Sequence, residues 1–170
     1  MLSSNTARVA SNSPPAMPAE VPSPGAAEPQ VVVESRFGTI VVASEARITF
    51  PQGLLGFSDC HAFGLAPLPD GKHPQFRVLQ SIEDATLAFL VAPLSIESGA
   101  IAADDIVEAC GTLGIAREDL AVLLIVTVRR DGAAAQVSVN LRAPVFVDSR
   151  RRVARQYVLP NARYAIRHPL

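Results

Sequence analysis

The chain has no Trp, and only 5% of its 170 residues are aromatic. Modules that read single-stranded RNA stack bases on interleaved aromatics, so this scarcity argues against direct nucleic-acid binding. Lys occurs once, at Lys72, and the formal net charge is −1. No global field therefore draws the chain to nucleic acid or to an anionic membrane. With only Cys60 and Cys110, there is no disulfide framework and no Cys-based metal pattern. His61, His73 and His168 are scattered, with no i, i+4 pair, and surface positions are expected for all three. The longest apolar run, Leu120 to Val126, is too short to span a bilayer. The N-terminus lacks a basic region followed by an apolar run, so the cytoplasm is the expected compartment. No GxGxxG, Walker loop or HExxH is present. Ser58-Asp59-Cys60-His61 sets nucleophiles beside a base. Residues adjacent in sequence seldom aim their side chains together, however, and no strand-turn-helix elbow surrounds them. No catalytic residue, cofactor or metal is expected. The chain reads as a binding protein, not an enzyme.

What is present is β-pattern. Residues 1–30 are rich in Ala, Ser and Pro, with six Pro between Pro14 and Pro29, and read as a disordered tail. Residues 31–170, within a chain that is 49% hydrophobic, can bury one core. Val31 to Phe50 holds two or three short β-runs punctuated by Gly38 and by Ser44-Glu45. FPQGLLGFSD follows (Phe50 to Asp59), an apolar loop shaped by Pro51, Gly53 and Gly56 that must either tuck under the sheet or offer a partner an apolar patch, with tucking expected. Strands are expected at Phe63 to Leu68, Phe76 to Ser81, Leu87 to Ala92 (ended by Pro93) and Leu120 to Val128. The one helix has Ile106, Ala109, Cys110 and Leu113 at helical spacing, with Asp104 as its cap and Gly111 or Gly114 as its stop. Cys110 falls on its core face, and Cys60 reads as an exposed thiol in a loop.

The last third is organised by Gln136 to Leu159. Val137, Val139 and Leu141 alternate with Gln136, Ser138, Asn140 and Arg142, the period of a half-buried strand. Pro144 marks an edge or a bulge. Val145 and Val147 share the parity of Val139 and Leu141, so one face is expected to stay buried through it. Arg150, Arg151 and Arg152 rim the following turn, and Val153 to Leu159 reads as the returning strand. The fold expected is a small antiparallel β-barrel-like single domain with one inserted α-helix.

Charge is unevenly placed. Seven Arg lie between Arg142 and Arg167, with Asp148 the only acid among them. Asp104, Asp105, Glu108, Glu118 and Asp119 gather around the helix. They are the candidate partner-binding set, because an acidic face can steer a basic partner. The plainer alternative is the wet side of an amphipathic helix. Arg150, Arg151 and Arg152 offer a rival reading, a ligand-sensing barrel that holds a small anion.

Several stretches together resemble the flagellar assembly factor FliW family. They are RFGTIVV (Arg36 to Val42), ITFPQGLLGF (Ile48 to Phe57), LQSIEDATLAFLV (Leu79 to Val91), NLRAPVFVD (Asn140 to Asp148), RQYVL (Arg155 to Leu159) and YAIRHPL (Tyr164 to Leu170). The family-motif positions are Phe50, Pro51, Gly53, Gly56, Phe57, Gln80, Ser81, Asn140, Leu141, Ala143, Pro144, Gln156, Arg167 and Pro169. The Ala/Pro tail and an Arg-rich tip, where Lys is more usual, depart from the pattern. The resemblance implies a β-barrel-like protein that is not an enzyme. It implies binding to CsrA, a dimeric RNA-binding translational regulator, relieving repression of flagellin mRNA. It also implies binding to flagellin, which displaces CsrA. A flagellin chaperone without CsrA binding is the narrower alternative.

Overall fold

The computed structural model describes residues 30–132 and 134–170. The expected tail lies outside them, except that Gln30 already belongs to the first strand. In chain order the strands are β1 (Gln30–Ser35), β2 (Gly38–Ala43), β3 (Arg47–Thr49), β4 (Ala62–Pro67), β5 (Arg77–Ser81) and β6 (Ala88–Leu94). The helix α1 (Ala103–Leu113) follows, then β7 (Leu120–Asp131), β8 (Ala134–Val139), β9 (Val145–Asp148), β10 (Val153–Gln156) and β11 (His168–Pro169). The mainly β fold with one inserted helix is as the sequence implies.

Closure comes from β7. Its aliphatic run suits a strand buried on both faces. One edge pairs with β6, while Leu120 to Leu123 pair with β9 and Val126 to Asp131 pair with β8. The ladder then runs β6, β5, β4, β3, β10, β9 and back to β7, a closed ring. Every pairing in it is antiparallel except β3 with β10, a single parallel bridge of Val153 to Thr49. A closed ring hides the strand edges that an open sheet would expose.

Three apolar clusters follow from this closure. Phe50, Phe63, Leu79, Val91, Leu123, Val145, Val147 and Ala154 fill the ring. Outside it, Ile106, Ala109 and Cys110 of α1 pack on Val122, Leu124, Val126, Val139, Leu141 and Phe146. On another outer face the β1–β2 hairpin lays Ile40 and Val42 over Ala66, Val78 and Ala88. Gly64 makes the close approach possible, since a Cβ there would sit 2.3 Å from a Val42 methyl.

The structure corrects several expectations. Val145 and Val147 do not share a face with Val139 and Leu141. Val126 pairs with Val139 and Leu123 with Val145, six steps along this strand against three along β7. The odd excess, spent as a bulge over Asn140 to Pro144, turns Val145 into the ring while Val139 stays outside. Pro93 does not end β6, because β5 begins only at Arg77, opposite Val91, and beyond it β6 has an edge where no N–H is required. The returning strand β10 stops at Gln156 rather than Leu159. The helix is capped at Ala102, without a side-chain bond, and Asp104 lies inside its first turn. Gly114, at φ 66°, is the stop. Cys60 is half-buried beside the ring's core.

Candidate functional site

Apart from Arg167 and Pro169, the positions that carry the resemblance gather around the Phe50–Phe57 loop and the segments that brace it. Phe50 is fully buried and packs edge-to-face on Phe63, with centroids 4.9 Å apart. Pro51 is exposed at the turn that follows. Gly53 has φ 64°, and a Cβ there would lie 2.3 Å from the Phe57 carbonyl oxygen. Gly56 has φ 86°. Both positions need a residue that accepts left-handed backbone. The loop closes on itself: Leu54 N–H donates to Phe57 O at 3.3 Å and Phe57 N–H to Leu54 O at 2.7 Å. The tucked reading holds for Leu54 but not for the whole loop. Leu55 and Phe57 stand 58% and 41% exposed.

Two braces hold this loop. Gln156 accepts from Leu55 N–H at 3.0 Å through Oε1 and donates Nε2 to the Ala143 carbonyl at 3.0 Å. It thereby ties the loop to the β8–β9 bulge, where Asn140 Oδ1 accepts from Ala143 N–H and Leu141, Ala143 and Pro144 are buried. On the other side Glu83 accepts from the N–H groups of His61 at 2.5 Å and Ala62 at 3.0 Å. The Ala62 and His61 backbone donors hold the Glu83 carboxyl below its ordinary range. The hydroxyl and N–H of Thr86 do the same for Asp84. Buried Ser81 accepts from Glu83 and Asp84 N–H, while buried Gln80 donates to the carbonyls of Ser81 and Leu87, both at 3.0 Å. The turn between β5 and β6 is thus fixed beside the loop.

Arg167 and Pro169 lie elsewhere. With Arg129, Gln136 and Ser138 they line a groove of about 370 Å³ along β8. The acidic set is not one uniform face. Asp104, Glu108 and Glu118 are exposed, whereas Asp105 accepts from the Tyr164 hydroxyl and, at 3.1 Å, from Arg163. That hydroxyl also accepts from Ala102 N–H at 3.0 Å, which pins the C-terminal segment to the start of α1. The bond from Arg163 to the Tyr164 hydroxyl is the main cause holding the guanidinium above its ordinary pKa. Asp119 uses its carbonyl, which accepts from Ser149 N–H at 2.9 Å and its hydroxyl at 2.8 Å.

At the Arg-rich tip Arg151 bonds the Gly114 carbonyl at 3.2 Å and buried Asp148 at 3.4 Å. Arg152, at φ 54°, reaches the Ser44 carbonyl at 3.3 Å. All three His are exposed. Among the described residues no group of three His, Cys, Asp or Glu is placed to hold a metal, and no helix is long and apolar enough to cross a membrane. Sequence reasoning missed the Asp105–Tyr164 lock, and of its two readings for the apolar loop it preferred the tucked one to the exposed patch that Leu55 and Phe57 form. For the second, the apolar content of FPQGLLGF was the available signal.

Residues 31–170 match the family model described as FliW protein. A flagellar assembly factor FliW from Desulfitobacterium hafniense (strain DSM 10664 / DCB-2) is 38% identical over 143 residues, 82% of this chain and 90% of that one. Its counterpart from Geobacter sulfurreducens is 34% identical over 142 residues, 81% of this chain and 84% of the other. A solved crystal structure of the flagellar assembly factor FliW aligns with TM-score 0.63 at 25% identity, over 83% of this chain and 96% of that one. The match runs through the closed ring, the helix and the braced loop alike, and the chain belongs to the FliW family of flagellar assembly factors.

Proposed function

We propose that this protein acts in the cytoplasm as a non-enzymatic partner switch: it binds CsrA, relieving repression of flagellin mRNA, and releases it when flagellin binds. The observation that carries this reading is the family match over residues 31–170, which takes in the described fold except Gln30, the first residue of β1. The acidic residues Asp104, Asp105, Glu108, Glu118 and Asp119 are proposed as CsrA contacts, with Asp104, Glu108 and Glu118 the exposed carboxylates among them. Replacing Asp104 and Glu108 by Ala should weaken CsrA binding more at low salt than at high salt, because exposed charges are screened. Salt-independent binding would remove them from the interface.

The anion-sensing alternative has less support. The recess beside Arg150 and Arg151, about 330 Å³, is also lined by Asp119 and Asp148, and Arg151 is already engaged. A thermal-shift screen separates the two: nucleotides and phosphate should leave the melting temperature unchanged, whereas stabilisation would favour the anion site. Flagellin binding without CsrA binding would leave the chaperone reading.

A further inference from the structure

Leu55 and Phe57 are displayed by a loop that is otherwise well fixed. The Phe57 ring lies edge-on to Phe89 at 5.3 Å between centroids, and Phe89 tilts against the core ring of Phe63 at 6.4 Å. The apolar surface is therefore continuous with the ring's interior and has a rigid backing. Beside Leu55 a cleft of about 170 Å³ opens between Gln52, Leu54, Ser58 and Gln156.

Two further observations define what fits there. The first is the charge of the rim. Asp59, Glu83 and Asp84 are exposed on the flanking segments, and backbone and Thr86 donors favour the ionised forms of the last two. Neither residues 50–71 nor residues 78–116 contain a Lys or Arg, and exposed Arg36, bonded to the second of these stretches, is engaged with the Ala88 carbonyl at 2.6 Å. The second is the backbone. Gly53 N–H donates to Phe50 O, Leu54 and Phe57 exchange bonds, Leu55 N–H goes to Gln156, and Cys60 N–H goes to Phe57 O. The loop offers no free strand edge, so an added strand would find few partners for its own N–H and C=O groups. A helix arrives with its backbone already satisfied.

We propose that this end of the barrel, centred on Leu55 and Phe57, docks an amphipathic helix of a protein partner whose apolar stripe is flanked by Lys or Arg. The proposal rests on the partner-binding reading above and gives it a surface distinct from the acidic helix. It is tested by titrating the full chain with two helical peptides that share a Leu stripe, one flanked by Lys and the other by Glu. The Lys-flanked peptide should bind at least tenfold tighter at low salt, and the gap should narrow as salt rises. Leu55→Ser with Phe57→Ser should weaken that binding at least tenfold, whereas Val107→Ser, at an equally exposed valine on α1, should leave it unchanged. Asp59→Lys, which removes no apolar surface, should shrink the preference between the two peptides. Equal affinity for the peptides, or binding that survives the double substitution, overturns the proposal. Peptide discrimination by a chain that binds neither CsrA nor flagellin would keep the docking site and sink the switch. CsrA or flagellin binding without peptide discrimination would do the reverse.

Discussion

Val139 is 2% exposed and Ser138 half-buried on the opposite face of β8. Val139→Asp would bury a carboxylate without a partner and should cost about 3 kcal/mol or more, a large share of a small domain's stability. Ser138→Asp should express normally and melt close to the parent; equal behaviour of the two would refute the register. Gly53→Ala should cost about 2 kcal/mol, since φ 64° disfavours any side chain and the Phe57 carbonyl fills the space. An unchanged melting temperature would show that the turn relaxes. Glu83 has a lowered pKa in the folded state because it accepts backbone N–H bonds. Its contribution is therefore present above the unfolded pKa and is lost as pH falls through the folded one. Glu83→Gln should lower the melting temperature at neutral pH and flatten the acid limb of its pH profile; an unaltered acid limb would contradict this. Alternation along the chain made Val139 legible from sequence. It could not reveal Asp105, whose partner Tyr164 is distant in sequence and meets it only once the C-terminal segment crosses α1.

At the scale of elements, the bulge over Asn140 to Pro144 decides which cluster β9 serves. Sequence indicates the bulge through Pro144, a residue with no N–H to give. It does not fix how many residues the bulge spends, and one residue more or fewer exchanges inside for outside. That is why sequence parity puts Val145 and Val147 on the wrong face while still indicating that they are buried. Gln156 is the brace that couples this bulge to the Phe50–Phe57 loop. Gln156→Ala removes both bonds and should cost about 1–3 kcal/mol. It should also speed hydrogen exchange at the Leu55 amide more than at amides of β7. Uniform acceleration across the domain would mean that Gln156 supports global stability only.

For the whole molecule, short strands separated by turn signals point to the barrel-like class, but not to its closure. β7 is long enough to serve β6 along one edge and both β8 and β9 along the other, a division set by tertiary pairing alone. The closed ring leaves two outer surfaces apart from one another: the helix with the C-terminal segment pinned to its start, and the braced loop. If CsrA and flagellin exclude one another, the coupling between them must be reciprocal. A coupling of about 3 kcal/mol changes affinity by roughly two powers of ten. The most direct test immobilises this protein, loads CsrA and titrates flagellin of the same organism, then repeats the titration in the opposite order. CsrA should leave as flagellin binds, and preloaded flagellin should weaken CsrA by the same factor that CsrA weakens flagellin. A stable ternary complex with undiminished CsrA affinity would contradict the switch.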